Sequence, residues 1–531
     1  MAYLKLKLES KIVIGFYYYT LVMLLFASFF VTSVLSDEGE YMMKLMNALK
    51  PPGWSNTTHM CYWTGVTCKD HTGRIEQLNL QYMSLRGTVP SGLNDSLTQL
   101  KYLDLSNNYL SGPLPSLANL TFLQIVYLHN NFNSIPHGCF HALTSLNSLS
   151  LINNNKLAPW NLFPTDLAAH SSQLHYLYLS STNLMGSLPN LSHFFPSLIT
   201  VSLSNNNLTS IPQGCFQGLP YLQFLRLENN INLAPWTFPD LIQSKNLQVL
   251  NLTATNVMGP LTEIFQSIPN LETVVLSNNN LSGILPDSRG SKIATLHLND
   301  QKGEGFAGPI DVISNMIDLS EAWLQGNSFT GPIPDMSRCT ALQDLQLAHN
   351  RLTGVVPDSL ISLSKAQGNL RRVSLNNNFL QGPMPNFDLY VDGYVNVGDN
   401  TTNAFCRQDF EPCDPRGTIL LEIAQAFGYA ILFACSWRGN NPCHNWSFVA
   451  CTGDMITTVN LTSQNLTGTI SDAFSKLTHL ENLYLSGNHL TGSMPENLTT
   501  LHQLKNLDVS NNNLSGKIPT FSSRVHLNTL H

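Results

Sequence analysis

Apolar residues recur along this chain in one phrase, L-x-x-L-x-L-x-x-N-x-L. One copy reads Leu100, Leu103, Leu105, Asn108, Leu110, then Gly112 and Pro115; another reads Leu480, Leu483, Leu485, Asn488, Leu490, then Gly492 and Pro495. Leu105, Leu128, Leu151, Leu179, Leu203, Leu227, Leu252 and Leu276 hold the same place in successive copies, 23 to 28 residues apart. The alternation in L-x-L is that of a strand, with the leucines inward and the residues between them outward. A unit this short cannot bury its apolar face alone. The units must stack, so that their strands form one parallel sheet and their outward residues tile its concave face. The asparagines (Asn108, Asn131, Asn206, Asn279, Asn350, Asn378, Asn512) turn inward after the strand. Their amides are expected to pair with backbone leaving the sheet, where each unpaired group would cost about 1–3 kcal/mol.

Period and pattern are those of leucine-rich repeats, which gives the fold class: a repeat solenoid, an α/β horseshoe with its parallel sheet on the concave face. After the asparagine most copies continue L-x-G-x-[ILVM]-P, as in Leu352, Gly354, Val355, Val356 and Pro357. That form resembles the plant-specific class of the repeat, with a second short strand beside the first. Two copies instead read S-I-P-x-G-C-F, at 134–140 and 210–216, and each is followed by L-A-P-W, at 157–160 and 233–236. A module of about 76 residues is duplicated there, read as a tandem duplication of scaffold.

The phrase runs for about thirteen units over 75–385, stops, and resumes for three units over 456–519, leaving a tail at 520–531. Residues 1–36 carry Lys5, Lys7 and Lys11 ahead of an apolar run from Ile12 to Leu35, which reads as a signal peptide cleaved near Ser36. The alternative is an uncleaved N-terminal anchor. Both place the repeats outside the cytosol, in the secretory pathway and then at the outer face of the plasma membrane or in the apoplast. Thirteen N-x-[ST] sequons, candidate N-glycosylation sites, agree with that address: Asn56, Asn94, Asn119, Asn190, Asn207, Asn251, Asn280, Asn400, Asn445, Asn460, Asn465, Asn497 and Asn513. Asn251 and Asn460 fall inside strands, so a glycan on either would block part of the concave face.

Ten cysteines in a secretory context argue for local disulfides, Cys61 with Cys68, Cys406 with Cys413, and Cys443 with Cys451. Zinc is disfavoured, because no C-x-x-C pairs occur. Cys139 and Cys215 sit three units apart, roughly 14 Å at the usual strand spacing, beyond disulfide reach. They read as small buried residues, as does Cys339, whereas Cys435 lies close enough to Cys443 to compete for it. The net charge of −7, without clusters of Lys and Arg, argues against a nucleic-acid partner.

The interruption at 386–455 repeats the grammar of the N-terminal cap at 37–74. The cap has an amphipathic segment from Tyr41 to Leu49, Trp54, and the Cys61/Cys68 pair; the island has a helix expected over Thr418–Phe433, Trp437, and the Cys443/Cys451 pair. The open end of a solenoid exposes core leucines and needs a cap, so a second cap implies a second start. Two capped blocks, the island's Phe405-Cys406 and Cys413-Asp414-Pro415-Arg416, the run from Ser436 to Cys443, and the close Leu507-Asp508-Val509-Ser510-Asn511-Asn512 resemble the ectodomain of the plant transmembrane-kinase (TMK) receptor-like kinases.

That resemblance implies a cell-surface receptor in growth and auxin-type signalling. It implies an extracellular protein or peptide partner, with an auxin-binding co-receptor protein among the candidates. The sequence departs from the family pattern: after Pro519 it reaches His531 without a second apolar span, it holds no kinase motifs, and S-I-P-x-G-C-F occurs twice. The expected role is therefore recognition without chemistry of its own. A secreted decoy or defence-type inhibitor, or a truncated gene product, is the alternative.

Candidate binding positions are the outward strand residues Tyr102, Tyr127, Tyr176, Tyr178, Arg226, Glu228, Trp323 and Gln325, since exposed Tyr, Trp and Arg are the common anchors of interfaces. Ordinary strand preference for aromatic residues is the competing account. The serine-rich strands (Ser148, Ser150; Ser202, Ser204) read as filler. Nothing in the spacing supports a catalytic, metal or cofactor site. On this reading Trp323→Ala weakens partner capture and leaves stability within about 1 kcal/mol.

Overall fold

The computed structural model describes residues 37–69, 72–129, 132–161, 167, 172–365, 368–388, 394–396, 402–407 and 409–530. The signal segment, Asn131 and Asn400 lie outside them. The chain divides into two compact units, one ending at Leu247 and one beginning at Gln248.

In the first unit, a helix over 37–49 buries Tyr41, Met42, Leu45 and Leu49. Behind it Trp54 stacks on Trp63 at 4.6 Å, and a disulfide joins Cys61 to Cys68 with Cα atoms 5.5 Å apart. The strand Val66–Cys68 runs antiparallel to Ile75–Asn79, and every later strand of the sheet is parallel: Tyr102–Asp104, Ile125–Tyr127, Ser148–Ser150, Tyr176–Tyr178, Thr200–Ser202 and Phe224–Arg226. Leu103, Leu105, Leu177 and Leu225 are buried.

The inward asparagines work as the pattern requires. Asn108 Nδ2 donates to Leu80 O (2.7 Å) and Leu105 O (3.0 Å), while its Oδ1 accepts from Leu85 N (3.0 Å). Each such side chain thus binds its own repeat to the preceding one. Asn154 does the same for Leu128, Leu151 and Phe132. In the second unit the role passes once to a glutamine: Gln301 donates to Leu276 O and Leu298 O, each at 3.0 Å, and accepts from Leu281 N at 3.0 Å.

The duplicated copies lack L-x-G yet keep second-layer pairing leading into S-I-P, in the strand Asn207–Ser210 and the bridge from Ser134 to Pro113, and the tryptophan of each L-A-P-W opens a further short strand, Trp160–Asn161 and Trp236–Thr237. Cys139 and Cys215 are buried free thiols that donate to Pro115 O (3.3 Å) and Pro189 O (3.2 Å). Burial pushes both up to about 12. Cys339 is likewise buried and free, and Cys435 is free and exposed.

The second unit carries parallel strands Val249–Asn251, Thr273–Val275, Thr295–His297, Glu321–Trp323, Asp344–Gln346, Arg372–Ser374 and Tyr394–Asn396. The last lies beyond the point at which the leucine phrase stops. Repeat geometry persists there because Asn403 takes the ladder position, donating to Leu375 O (3.1 Å) and accepting from Leu380 N (3.0 Å). A disulfide then joins Cys406 to Cys413, and Asp414 caps the helix Pro415–Ala426 by accepting from Arg416 N at 2.8 Å.

One helix was expected over Thr418–Phe433; there are two, Pro415–Ala426 and Ile431–Ser436. Gly428 at φ +64° and Tyr429 at φ +50° break the first, since a left-handed pair cannot continue a right-handed helix. A disulfide between Cys443 and Cys451 leads into Val449–Thr452, antiparallel to Met455–Asn460. Asn482–Tyr484, Asn506–Asp508 and, within the expected tail, His526–Asn528 follow in parallel.

The island packs on both of its sides within this unit. Gln381 Nε2 donates to Trp437 O at 3.1 Å, and the Tyr429 ring lies against Gly354, where a Cβ would come within 2.6 Å of it. On the other side Thr469 N donates to Ala426 O at 3.1 Å, and a Cβ on Gly468 would come within 2.1 Å of that oxygen. Between them Phe427, Phe433, Trp437, Trp446 and Phe474 form one buried cluster with the leucines of the last repeats.

Candidate partner-binding face

Strand register sorts the outward residues into rows. In the first unit one row runs Tyr102, Ile125, Ser148, Tyr176, Thr200, Phe224, and the next runs Asp104, Tyr127, Ser150, Tyr178, Ser202, Arg226. Large and small residues therefore alternate across the sheet. Tyr102 and Tyr127 meet edge to face at 6.2 Å, and Tyr176 and Tyr178 stack at 6.4 Å. Ser148, Ser150, Thr200 and Ser202, between these ridges, are buried. The serine strands are thus the floors of troughs between aromatic ridges, and not filler, because a small side chain beside a tyrosine is covered by it.

All the first-unit candidates are half-buried, a consequence of that interleaving. The Tyr102 hydroxyl donates to Asp104 Oδ2 at 3.1 Å, and burial together with that carboxylate pushes Tyr102 up to about 12. His129 lies 2.5 Å from Ser150 Oγ, and burial lowers its pKa below the usual histidine range. Arg226 and Glu228 leave one strand on the same face but do not pair. The Arg226 guanidinium lies over the Phe224 ring, 5.5 Å from its centre, and Glu228 Oε2 is buried with no hydrogen-bond partner.

In the second unit the rows run Thr295, Glu321, Asp344, Arg372 and His297, Trp323, Gln346, Ser374. Trp323 stacks on His297, with centroids 4.0 Å apart and planes 6° from parallel. Its Nε1 donates to Asp344 Oδ2 at 3.1 Å, a carboxylate that also receives Gln346 Nε2 (2.6 Å) and the Arg372 guanidinium (2.8 Å). His297 lies 3.2 Å from Glu321; burial lowers its pKa, against the pull of that carboxylate. Gln325, in the following row, has its Oε1 buried without a partner.

His297, Asp344, Gln346 and Arg372 were not among the sequence candidates. Their strand positions gave the signal, since each is the residue before or after an inward residue of its strand. What marks Asp344 is its three donors, which come from the next strand, the same strand and the previous one. The outer row of the last repeats is a polar ladder, with Asn506 Nδ2 donating to Asn482 Oδ1 (2.7 Å) and Asn482 Nδ2 to Thr458 Oγ1 (3.0 Å). Of the in-strand sequons, Asn251 uses its Oδ1 to accept from Thr253, and Asn460 is exposed. Among the described residues, no group of three or more His, Cys, Asp or Glu could hold a metal ion, and no helix is long and apolar enough to cross a membrane.

The leucine-rich repeat N-terminal domain family matches the chain twice, at 35–69 and 414–452. Leucine-rich repeat families match 172–231 and 455–514, and also 99–120, 270–291 and 341–363. The chain is 35% identical over 474 residues to receptor-like kinase TMK4 of Arabidopsis thaliana, covering 88% of this chain and 42% of that protein. It is 33% identical over 455 residues to receptor-like kinase TMK2 of the same plant, covering 84% and 42%. This chain is a plant leucine-rich-repeat receptor ectodomain of the TMK type.

The TMK-type chain spans less than half the length of these relatives. Its fold is also that of the Arabidopsis receptor kinase HAESA, solved in complex with the peptide hormone IDA and the co-receptor SERK1. The TM-score is 0.51 at 22% identity, covering 92% of this chain and 90% of that one.

Proposed function

We propose that this chain is the ligand-recognising outer part of a TMK-type receptor kinase at the plant cell surface, and that an apoplastic peptide or protein docks on the open face of its repeat sheet. The observation that carries the reading is the ridged face itself, with tyrosine, tryptophan and charged side chains standing over serine floors and buried polar atoms left without partners. Large, stiff side chains give contact area at low entropic cost, and unpaired polar atoms supply the selectivity a partner must satisfy.

Tyr102, Tyr127, Tyr176, Tyr178, Arg226 and Glu228 are the proposed contacts of the first unit, and Trp323 and Gln325 those of the second. The two capped blocks, 75–385 and 456–519, with the island 386–455 between them, are the proposed domain plan, supported by the second match to the N-terminal domain family. Signalling of the growth and auxin type, with an auxin-binding co-receptor protein as partner, is the finer reading that kinship to the TMK kinases supports. Phosphotransfer belongs, on this proposal, to the receptor as a whole, and recognition to this chain. Glycans at the sequons, Asn251 and Asn460 included, belong to the same proposal.

A photo-crosslinking amino acid at Tyr178, with Tyr221, 59% exposed and off the strand rows, as the control position, tests the reading. The secreted chain is expected to capture apoplastic peptides or proteins from position 178 and not from 221. Equal capture at both positions, or capture at 221 alone, would remove the open face as the docking surface.

A further inference from the structure

The duplicated module contains an internal comparison. Its two copies superpose in sequence with an offset of 76 residues, which places Leu149 on Leu225, Leu151 on Leu227, Asn154 on Asn230, Cys139 on Cys215 and Trp160 on Trp236. The paired leucines, asparagines and cysteines are all buried. The three outward positions of the strand differ in every case: Ser148, Ile152 and Ser150 in the first copy stand where Phe224, Glu228 and Arg226 stand in the second. Scaffold is shared and surface rewritten between the copies, with two serines and an isoleucine in one and an aromatic ring and two opposite charges in the other.

The rewritten strand is not satisfied from within. An arginine and a glutamate two residues apart on one strand face could pair, but Arg226 is turned onto Phe224 and Glu228 takes part in none of the ion pairs of the described residues. Glu228 Oε2 is buried and without a hydrogen-bond partner. Beside it in register, through the bond from Asn205 N to Glu228 O at 2.8 Å, lies Ser204, 3% exposed, whose hydroxyl also has no partner. The neighbouring serines differ: Ser180 and Ser202 bind each other at 2.8 Å. In register Glu228 thus stands beside Ser204, next to a trough whose floor, Ser202, is flanked by Tyr178 and Arg226. A half-buried carboxylate without a donor is costly. Its complement is a donor that carries positive charge, placed deep enough to reach the Ser204 hydroxyl as well.

We propose that Glu228, with Ser204 beside it, forms a subsite for a lysine or arginine side chain of an extended peptide laid across the open face. This deepens, and rests on, the proposal that the open face is the docking surface. Opposite charge fixes the class of side chain, and the Tyr178 wall fits its apolar stem, while the Arg226 guanidinium is held over Phe224.

The test is selection of the secreted full chain against a synthetic nonapeptide library randomised at every position, comparing wild type with Glu228→Gln and Glu228→Lys. Wild type is expected to enrich Lys or Arg at one position about tenfold, the worth of one charge-assisted hydrogen bond. Glu228→Gln, isosteric and without the charge, is expected to lose that enrichment while other selected positions persist, and Glu228→Lys to replace it with Asp or Glu. Peptides that bind wild type without basic enrichment, with acidic enrichment, or with basic enrichment unchanged in both variants would overturn the subsite and leave the docking surface standing. If no peptide of any composition binds, the subsite falls, and the open face is judged by the crosslinking test alone.

Discussion

A single ladder side chain, asparagine in most repeats, settles three to five backbone groups that would otherwise be stranded where the chain leaves the sheet. Asn279 is fully buried; it donates to Leu252 O, Leu276 O and Ser277 O and accepts from Thr255 N and Val257 N. Asn279→Ala removes both halves of that arrangement and is expected to cost about 3 kcal/mol, within the range for leaving buried partners unpaired. Urea unfolding followed by tryptophan fluorescence measures it. The free cysteines offer a second test at this scale. Cys139, Cys215 and Cys339 are buried with thiols pushed up to about 12, 12 and 11, whereas Cys435 is exposed. Thiolate is the reactive form, so brief alkylation of the native chain at pH 7.5 is expected to label Cys435 alone, and mass mapping after denaturation to find the other three. Labelling of Cys139 in the native chain would mean that the duplicated module opens. The period revealed the Asn108-type ladder, but not the substitution of Gln301 or Asn403, since either side chain is common in loops and only the fold puts it at the ladder position.

At the scale of the strand, the outward residues prove less free than alternation suggests. Trp323 was expected to be a surface residue of little consequence for stability. It stacks on His297 and donates to Asp344, a carboxylate whose side chain is only 3% exposed. Losing an aromatic stack, about 0.5–1.5 kcal/mol, and one hydrogen bond to a charged group, about 1.5–3 kcal/mol, makes Trp323→Ala destabilising by about 3 kcal/mol. Trp323→Phe keeps the stack and is expected to recover about a third of that loss; a thermal melt of the two variants checks the order. Trp323 therefore serves packing as well as any partner, and loss of capture by Trp323→Ala cannot be read as loss of contact unless the phenylalanine variant is run beside it. Tyr178 and Glu228 are cleaner positions for binding tests, because no hydrogen bond to a buried carboxylate depends on them.

The island shows what happens between elements. It reads in sequence as a second cap, and the helix, the buried Trp437 and the Cys443–Cys451 disulfide are present. A cap need face only the block it opens. This one also receives Gln381, Gly354 and Gly382 from the repeats before it, so the island and the three final repeats share one compact unit with the repeats from Gln248 onward. The division of the chain falls at Leu247 and Gln248, away from the interruption. Gly468→Ala tests the joint: the position has φ +96°, and the new Cβ would meet Ala426 O at 2.1 Å. Strain at positive φ together with a backbone clash is expected to cost about 3 kcal/mol. Hydrogen exchange is expected to accelerate over 456–519 while the strands of the first unit stay protected. Uniform acceleration across the chain would contradict a local joint.

What the sequence alone determined is everything that follows from a period. The inward leucines, the parallel sheet, the stacking and the inward asparagines are nearest-neighbour properties, repeated every 23 to 28 residues, so one unit read correctly is all of them read correctly. The close cysteine pairs and the second cap were legible for the same reason, since both are local. The tertiary structure decided what depends on neighbours distant in sequence. It covered the serines with tyrosines from adjoining repeats, gathered three donors from three strands on Asp344, turned Arg226 away from Glu228, and closed the island against both of its flanks. Side chains 20 to 30 residues apart meet there through register, and register is a property of the stacked sheet that no single repeat contains.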